Sequence, residues 1–372
     1  MISTLVASLV LFQPALAPGD HEKDWRDVRT AIERRYYART KQKDRMTSLL
    51  DKHEPIAKAA ATRDEFASAV NKMIDEFGDS HFDFFTPLDQ GYYVMDNLVS
   101  GSSADKMPHV NIWFAPPENG KHRVQMVMTG SEADKAGVRK GDWVSLEKGP
   151  VGTFMDRESV ELKFERNGKA TPVKLNVIKE PPMKMFLDAT KRSVQVMKVG
   201  DKSYGYVRVW TMGSRDFREA LQDAVKGPLA DTDGIILDLR DGFGGSPRGY
   251  LDIFFTPKSE GKGGYTKPMV ALINEGTRSA KEISSLQLKK TGRAPLVGRN
   301  TAGHVLGTSP MRLNEWSYLE IPMIEVPVEG ENLEKKGVAP DVEVPVEFSA
   351  EGEDLILKRG LYEIQKLTAT KL

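Results

Sequence analysis

The chain has 372 residues, and its 53 Lys plus Arg balance 53 Asp plus Glu, leaving a net charge near zero. That length supports two or three domains with a sizeable core, and balanced charge without a basic stripe argues against a nucleic-acid partner. Cysteine is absent, which excludes disulfides, thiolate catalysis and cysteine-ligated zinc.

The opening "MISTLVASLVLFQPALAPGD" reads as a secretory signal over residues 1–17. Its apolar run, Leu5 to Phe12, is too short to span a bilayer, and Ala15 to Ala17 form a small-residue cleavage pattern. No Lys or Arg precedes the run and Pro18 would follow the cut, so a buried N-terminal helix is the alternative reading. Export implies an extracytoplasmic protein, periplasmic or secreted. No later segment is apolar enough for stable membrane insertion.

Residues 19–88 are predicted to form a helical domain. Trp25, Val28, Ile32 and Tyr36 recur at helical spacing, as do Phe66, Val70, Met73, Ile74 and Phe77. Thr62 with Glu65 three residues on marks a helix start, and Gly78 a helix end. "DSHFDFF" follows at once. Residues 89–182 change character, with short alternating runs "HVNIWFA", "RVQMVMT" and "VELKFERNGKATPVKLNVI". "RNGK" carries a hairpin signal. "GSEADKAGVRKGDWVSL" (Gly130 to Leu146) reads as a turn, a short helix ended by Gly137, a turn and a buried strand.

Residues 195–348 alternate strand and helix. "SYGYVRVW", "DGIILDLR", "PMVALIN" and "APLVG" read as strands. "DFREALQDAVKG", "SPRGYLDIFF" and "SAKEISSLQLKKTG" read as helices. Continuous apolar strands alternating with helices predict a mainly parallel sheet covered by helices. Residues 349–372 read as a closing helix.

Ser279 stands where a buried strand passes into a helix. A serine hydroxyl must lose its proton to a base as it attacks, and free N–H groups at a helix start stabilise developing negative charge. An ordinary N-cap is the simpler reading of that serine in isolation. "DLRDGFGG" (Asp238 to Gly245) ends a buried strand in glycines that leave N–H groups uncovered, suited to an oxyanion hole or to a tight turn. Among six histidines, His21, His53, His109 and His122 sit in polar contexts and are expected to be solvated. His81 and His304 remain as candidate bases. No HExxH is present and the histidines are scattered, so no metal site is expected.

Together these pieces resemble the S41 family of serine peptidases, the tail-specific or C-terminal processing proteases and the tricorn-like proteases. "YGYVRVWTM", "DGIILDLRDGFGG", "NEGTRSAKEI", "LVGRNTAGHVLG" and "EKKGVAPDVEV" occur in the family's order. "GSEADKAGVRKGDWVSL" resembles the family's PDZ signature. The resemblance implies a multidomain α/β protein: an N-terminal helical segment, a PDZ-like β-rich domain and a crotonase/ClpP-like catalytic domain. It makes Ser279 the nucleophile and gives the oxyanion hole to Ala280 with Gly244 or Gly245. One branch of the family uses a lysine where this chain has His304, with Thr308 near the place of that lysine's helper. The other branch uses a histidine from the N-terminal segment, matched by His81 in "DSHF", with Ser80 and Glu334 as polar supports. Phe82 stands where the family often has threonine, and Gly242 where it often has asparagine. The implied activity is peptide hydrolysis on a polypeptide substrate with no cofactor, His81 acting as base and His304 as the alternative. A catalytically inactive peptide-binding protein and a thioester-cleaving enzyme on a crotonase-like scaffold are the rival readings.

Overall fold

The computed structural model describes residues 21–255 and 264–369. The expected signal, residues 1–17, lies outside the described residues. The molecule is a multidomain α/β protein built on several sheets.

Its centre is a six-stranded sheet ordered Val342–Glu343, Leu296–Gly298, Met269–Ile273, Gly234–Asp238, Lys202–Arg208 and Gln195–Val199. All neighbours pair parallel except the last two, which form an antiparallel hairpin. Gly234–Asp238 and Met269–Ile273 are buried at every position, as their unbroken apolar runs require of strands covered on both faces. Alternate side chains divide between those faces. Val207, Leu237, Ala271 and Ile273 pack under the helices Arg215–Lys226 and Ala280–Lys290, whose Phe217, Leu221, Leu286 and Leu288 join the same core. Tyr206, Ile236 and Leu272 face the other way, against Ile356 and Ile364 of the closing helix Leu355–Ala369.

Residues 112–176 contain a five-stranded antiparallel sheet with its own core of Ile112, Val124, Phe154, Leu162 and Leu175. The hairpin at "RNGK" turns on Asn167 and Gly168, both at positive φ (51° and 76°), as a two-residue turn matched to strand twist demands. Between strands lies the short helix Glu132–Lys135, capped by the Ser131 side chain and followed by Gly137 at φ 85°.

The N-terminal part holds three helices, His21–Arg35, Lys43–Lys58 and Arg63–Phe77. The last begins where Thr62 accepts from the Glu65 N–H and ends at Gly78 in the left-handed region. These helices do not close their core alone. Trp25, Ile32, Phe66 and Val70 pack on Trp316, Leu319 and Ile321, which belong to a hairpin formed by Gly307–Arg312 and Tyr318–Ile324. The short strand Asp83–Phe85 pairs antiparallel with Tyr318–Ile324, setting Asp83 opposite Glu320. That pairing brings "DSHF" beside the central sheet.

Two expectations are corrected. "SPRGYLDIFF" is not one helix: among the described residues only Asp252–Phe255 are helical there. The four histidines expected to be solvated are all buried. His21 stacks on Phe66 at 4.7 Å and meets Asp24 at 3.2 Å. His53 meets Glu76 at 2.9 Å, His109 accepts from the Asn111 N–H and His122 meets the Ala115 carbonyl. Burial of a polar ring is tolerable once it is hydrogen-bonded, and polar sequence neighbours do not reveal that.

Candidate active site

The site lies beyond the carboxyl ends of the parallel strands, where open α/β sheets gather their loops. Strand Gly234–Asp238 runs into the glycine loop, and Met269–Ile273 runs into the turn that ends at Ser279. One cavity of about 480 Å³ is lined by Ser279, Ala280, Gly244, Gly245 and His81 together with Arg278, Glu320, Thr308 and apolar side chains including Val94, Leu98 and Val305. Thus the residue from the N-terminal third and the serine 198 positions later share one hollow.

Ser279 adopts φ 57° and ψ −125° as N-cap of Ala280–Lys290. His81 sits at φ 57° and Asp241 at φ 49°. Positive φ costs a non-glycine residue about 1–3 kcal/mol and persists where surroundings fix it. At Ser279 the fixing group is Glu282, which is fully buried. Its carboxylate accepts from Ser279 N–H at 3.1 Å, Thr301 Oγ1 at 2.6 Å, Gly303 N–H at 2.7 Å and His304 N–H at 2.8 Å. Burial pushes this carboxyl up, and the four donors oppose that shift. The Ser279 N–H also donates to the His304 carbonyl at 2.8 Å. Ala280 is the first residue of the helix, where an N–H has no acceptor within the helix.

The glycine loop touches the serine directly. A Cβ added to Gly244 would fall 2.4 Å from Ser279 Cβ and 2.7 Å from its Oγ. At Gly245, φ 126°, it would fall 2.2 Å from the Met212 carbonyl oxygen. Only glycine permits this approach. Beneath the loop, Lys281 is fully buried and donates to the Asp241 carbonyl at 2.6 Å. Burial lowers its ammonium to about 7, with Arg208 adding to the effect. Asp241 is gripped from outside by Lys140 at 2.7 Å and Arg208 at 2.8 Å.

His81 is 5 % exposed, so its ring is almost wholly desolvated. Burial, Arg278 and His304 hold its imidazolium well below the ordinary histidine range. Its Nδ1 meets Arg278 Nη2 at 2.6 Å, and its Nε2 is buried with no partner. Ser80 donates from Oγ to Glu334 at 3.0 Å, and its N–H reaches the same carboxylate at 3.3 Å. Glu334 also accepts the N–H groups of Val305 and Leu306 at 2.9 and 3.2 Å. It therefore ties "DSHF" to the "TAGHVLG" loop. Phe82 packs into the helical core against Tyr36 and Phe77, with ring centroids 5.9 and 5.2 Å away. His304 is exposed and does not line the cavity, although its ring lies 6.5 Å from that of His81. Thr308 donates to the Ile321 carbonyl at 2.9 Å.

Sequence reasoning did not single out Glu282, Lys281, Arg278 or Glu320. For Glu282 a signal existed: Ser279 followed three residues later by Glu is a capping-box pattern. Among the described residues no group of three or more His, Asp or Glu side chains is placed to hold a metal ion.

The chain is similar to known proteins in sequence and in fold. Residues 254–344 match the family model described as Peptidase family S41. The chain is 24% identical over 323 residues to a carboxyl-terminal-processing protease of Synechocystis sp., covering 78% of this chain and 74% of that one. It is likewise 24% identical over 341 residues to tricorn protease homolog 1 of Streptomyces coelicolor, covering 80% of this chain but 30% of that protein. The fold resembles that of the photosystem II D1 C-terminal processing protease, with a TM-score of 0.57 and 20% identity over 88% of this chain and 95% of that one. The matched family model spans the serine turn, and over most of its length the chain is similar to carboxyl-terminal processing proteases in sequence and in fold.

Proposed function

We propose that the chain is an endopeptidase in which Ser279 forms the acyl-enzyme, His81 is the general base, and Ser80 and Glu334 support it. The observation that carries this reading is the shared cavity, in which His81, Ser279, Gly244, Gly245 and Ala280 all present a surface. His81 removes the Ser279 proton as the oxygen attacks a peptide carbonyl, then gives it to the leaving amine; water hydrolyses the ester. The N–H of Ala280 and that of Gly244 or Gly245 receive the developing oxyanion. A base contributes about 10²–10⁴-fold and one oxyanion donor about 10²–10³-fold. No metal or cofactor takes part.

Division of labour follows the sequence reading: helices over 19–88, a PDZ-like unit over 89–182, a catalytic unit over 195–348 and a closing helix over 349–372. The PDZ-like unit binds an extended segment of a polypeptide substrate along a sheet edge. The processing of C-termini is proposed from the relatives' names, and an extracytoplasmic location from the first residues. No described helix is long and apolar enough to cross a membrane.

The test is hydrolysis of an unstructured polypeptide by the purified protein, with cleavage products identified by mass. Peptide products that vanish in Ser279→Ala support the reading. Hydrolysis of acyl thioesters but not peptides would replace it with the crotonase-like alternative. Binding without hydrolysis, and no labelling by a fluorophosphonate, would make the chain an inactive peptide-binding protein.

A further inference from the structure

The bond on His81 Nδ1 is the wrong one for a base. A guanidinium has only donors, so the Arg278 contact at 2.6 Å makes Nδ1 the acceptor and leaves the ring proton on Nε2. In that tautomer Nε2 donates and cannot take a proton from serine. A second group waits at the same atom. Glu320 Oε1 lies 3.9 Å from His81 Nδ1, and its carboxylate is buried. The register that sets Glu320 opposite Asp83, two residues after His81, fixes it there. Arg278, Glu320, His81 and Ser279 all line the one cavity.

Arg278 is poorly satisfied where it is. Its hydrogen-bond partner is an imidazole, its Nε is buried without a partner, and its guanidinium lies 5.9 Å from the Phe243 ring; the carboxylates of Glu320 and Asp83 act on it through charge alone, without a hydrogen bond. A carboxylate would offer the fork a bidentate, charge-assisted pair, with bonds roughly twice as strong as neutral ones. The groove that receives the peptide is where such a carboxylate arrives.

We propose that Arg278 is a carboxylate-reading switch on the catalytic base. Its guanidinium holds His81 in the Nε2–H tautomer until a carboxylate of the bound peptide draws it away. Nδ1–H then turns to Glu320, and Nε2 becomes an acceptor able to take a proton from the serine. One proton leaves Nε2 to water as one arrives at Nδ1 from water, so the ring's charge is unchanged. Glu320 is thereby a positioning residue, and Arg278 sets specificity. The inference rests on the peptidase reading of Ser279 and His81.

The experiment uses three versions of one cleavable peptide: a C-terminal amide without acidic residues, the same peptide with a free C-terminal carboxylate, and the amide with one Asp. The wild-type enzyme should cleave at least one carboxylate-bearing peptide about tenfold or more faster, in kcat/KM, than the neutral one. Which of the two is preferred identifies the terminal or side-chain source. Arg278→Met should cleave all three alike, with the neutral peptide faster than in wild type. It should also label faster with a fluorophosphonate when no peptide is present. Arg278→Lys, keeping the charge without the fork, should show a weaker preference in the same direction. Glu320→Gln should lower kcat by up to about 10⁴-fold with little change in KM, the size of effect a wrong histidine tautomer has in serine hydrolases. Equal cleavage of the three peptides by wild type, or a preference that survives in Arg278→Met, overturns the switch while leaving the peptidase reading intact. A wild-type protein that neither labels at Ser279 nor cleaves any peptide overturns both.

Discussion

Replacing Glu282 by glutamine should loosen the turn that carries Ser279 far more than the loss of one charge suggests. The buried carboxylate faces four donors, with Ser279 and His304 N–H on one oxygen and Thr301 Oγ1 and Gly303 N–H on the other. An acceptor-only group suits that environment; an amide does not. In its better orientation the new NH₂ replaces the second oxygen. The Gly303 N–H is then stranded, at about 1–3 kcal/mol, and the two bonds left on the oxygen lose charge assistance, about 1 kcal/mol each. Thr301 has little freedom to compensate, because its oxygen already accepts the Val338 N–H at 2.7 Å. The sum is about 3–5 kcal/mol, a large share of a typical stability of about 5–15 kcal/mol. Because a multidomain protein does not in general unfold in a single two-state step, the assay must report locally. We would follow fluorophosphonate labelling of Ser279 across a urea series beside the circular dichroism transition. Loss of labelling should come at clearly lower urea in Glu282→Gln, ahead of the global transition. A midpoint matching wild type would refute the claim that Glu282 organises this turn.

Other consequences are equally specific. Gly244→Ala should abolish labelling of Ser279 while leaving the far-ultraviolet spectrum near wild type, since the added methyl lands 2.7 Å from Oγ. Because burial, Arg278 and His304 depress His81, the acid limb of the labelling rate should lie below about 6.5, the ordinary histidine value. With a depressed native pKa, the associated stability is present above the unfolded value and lost as pH falls through the native one; Arg278→Met should move the limb upward. Lys281 is neutral in the native state above about 7 but protonated when unfolded, so wild type should gain stability over Lys281→Met between pH 7 and about 10, measured by urea midpoints. Lys140→Ala leaves Asp241 and Glu347 without their shared ammonium, at 2.7 and 2.9 Å. Breaking such a buried pair costs about 3–5 kcal/mol, so its thermal midpoint should fall.

The sequence made the local signals plain and the long-range ones faint. Thr62 and Gly78 bound their helix, "RNGK" turns its hairpin, and the apolar strands lie in a mainly parallel sheet, because each depends on residues a few positions apart. The family motifs named the serine and glycine loop. The route by which His81 reaches the cavity was not legible from physics alone. It depends on a three-residue strand, too short to show a period, pairing with a hairpin more than two hundred positions on. Burial of charged groups was also hidden. Lys281 and Glu282 sit on the inner face of a helix whose polar residues look solvent-facing in sequence, and four histidines with polar neighbours lie in cores. "SPRGYLDIFF" carries helical spacing, yet Ser246 and Tyr250 spend their bonds on the Met212 and Ser214 backbone.

The most direct measurement is the rate of covalent labelling of Ser279 by a fluorophosphonate in wild type, His81→Gln and His304→Gln, each checked for folding. The account predicts labelling of wild type at Ser279, a fall of about 10²–10⁴-fold in His81→Gln, and less than about tenfold change in His304→Gln. Loss of labelling in His304→Gln with little change in His81→Gln would contradict it.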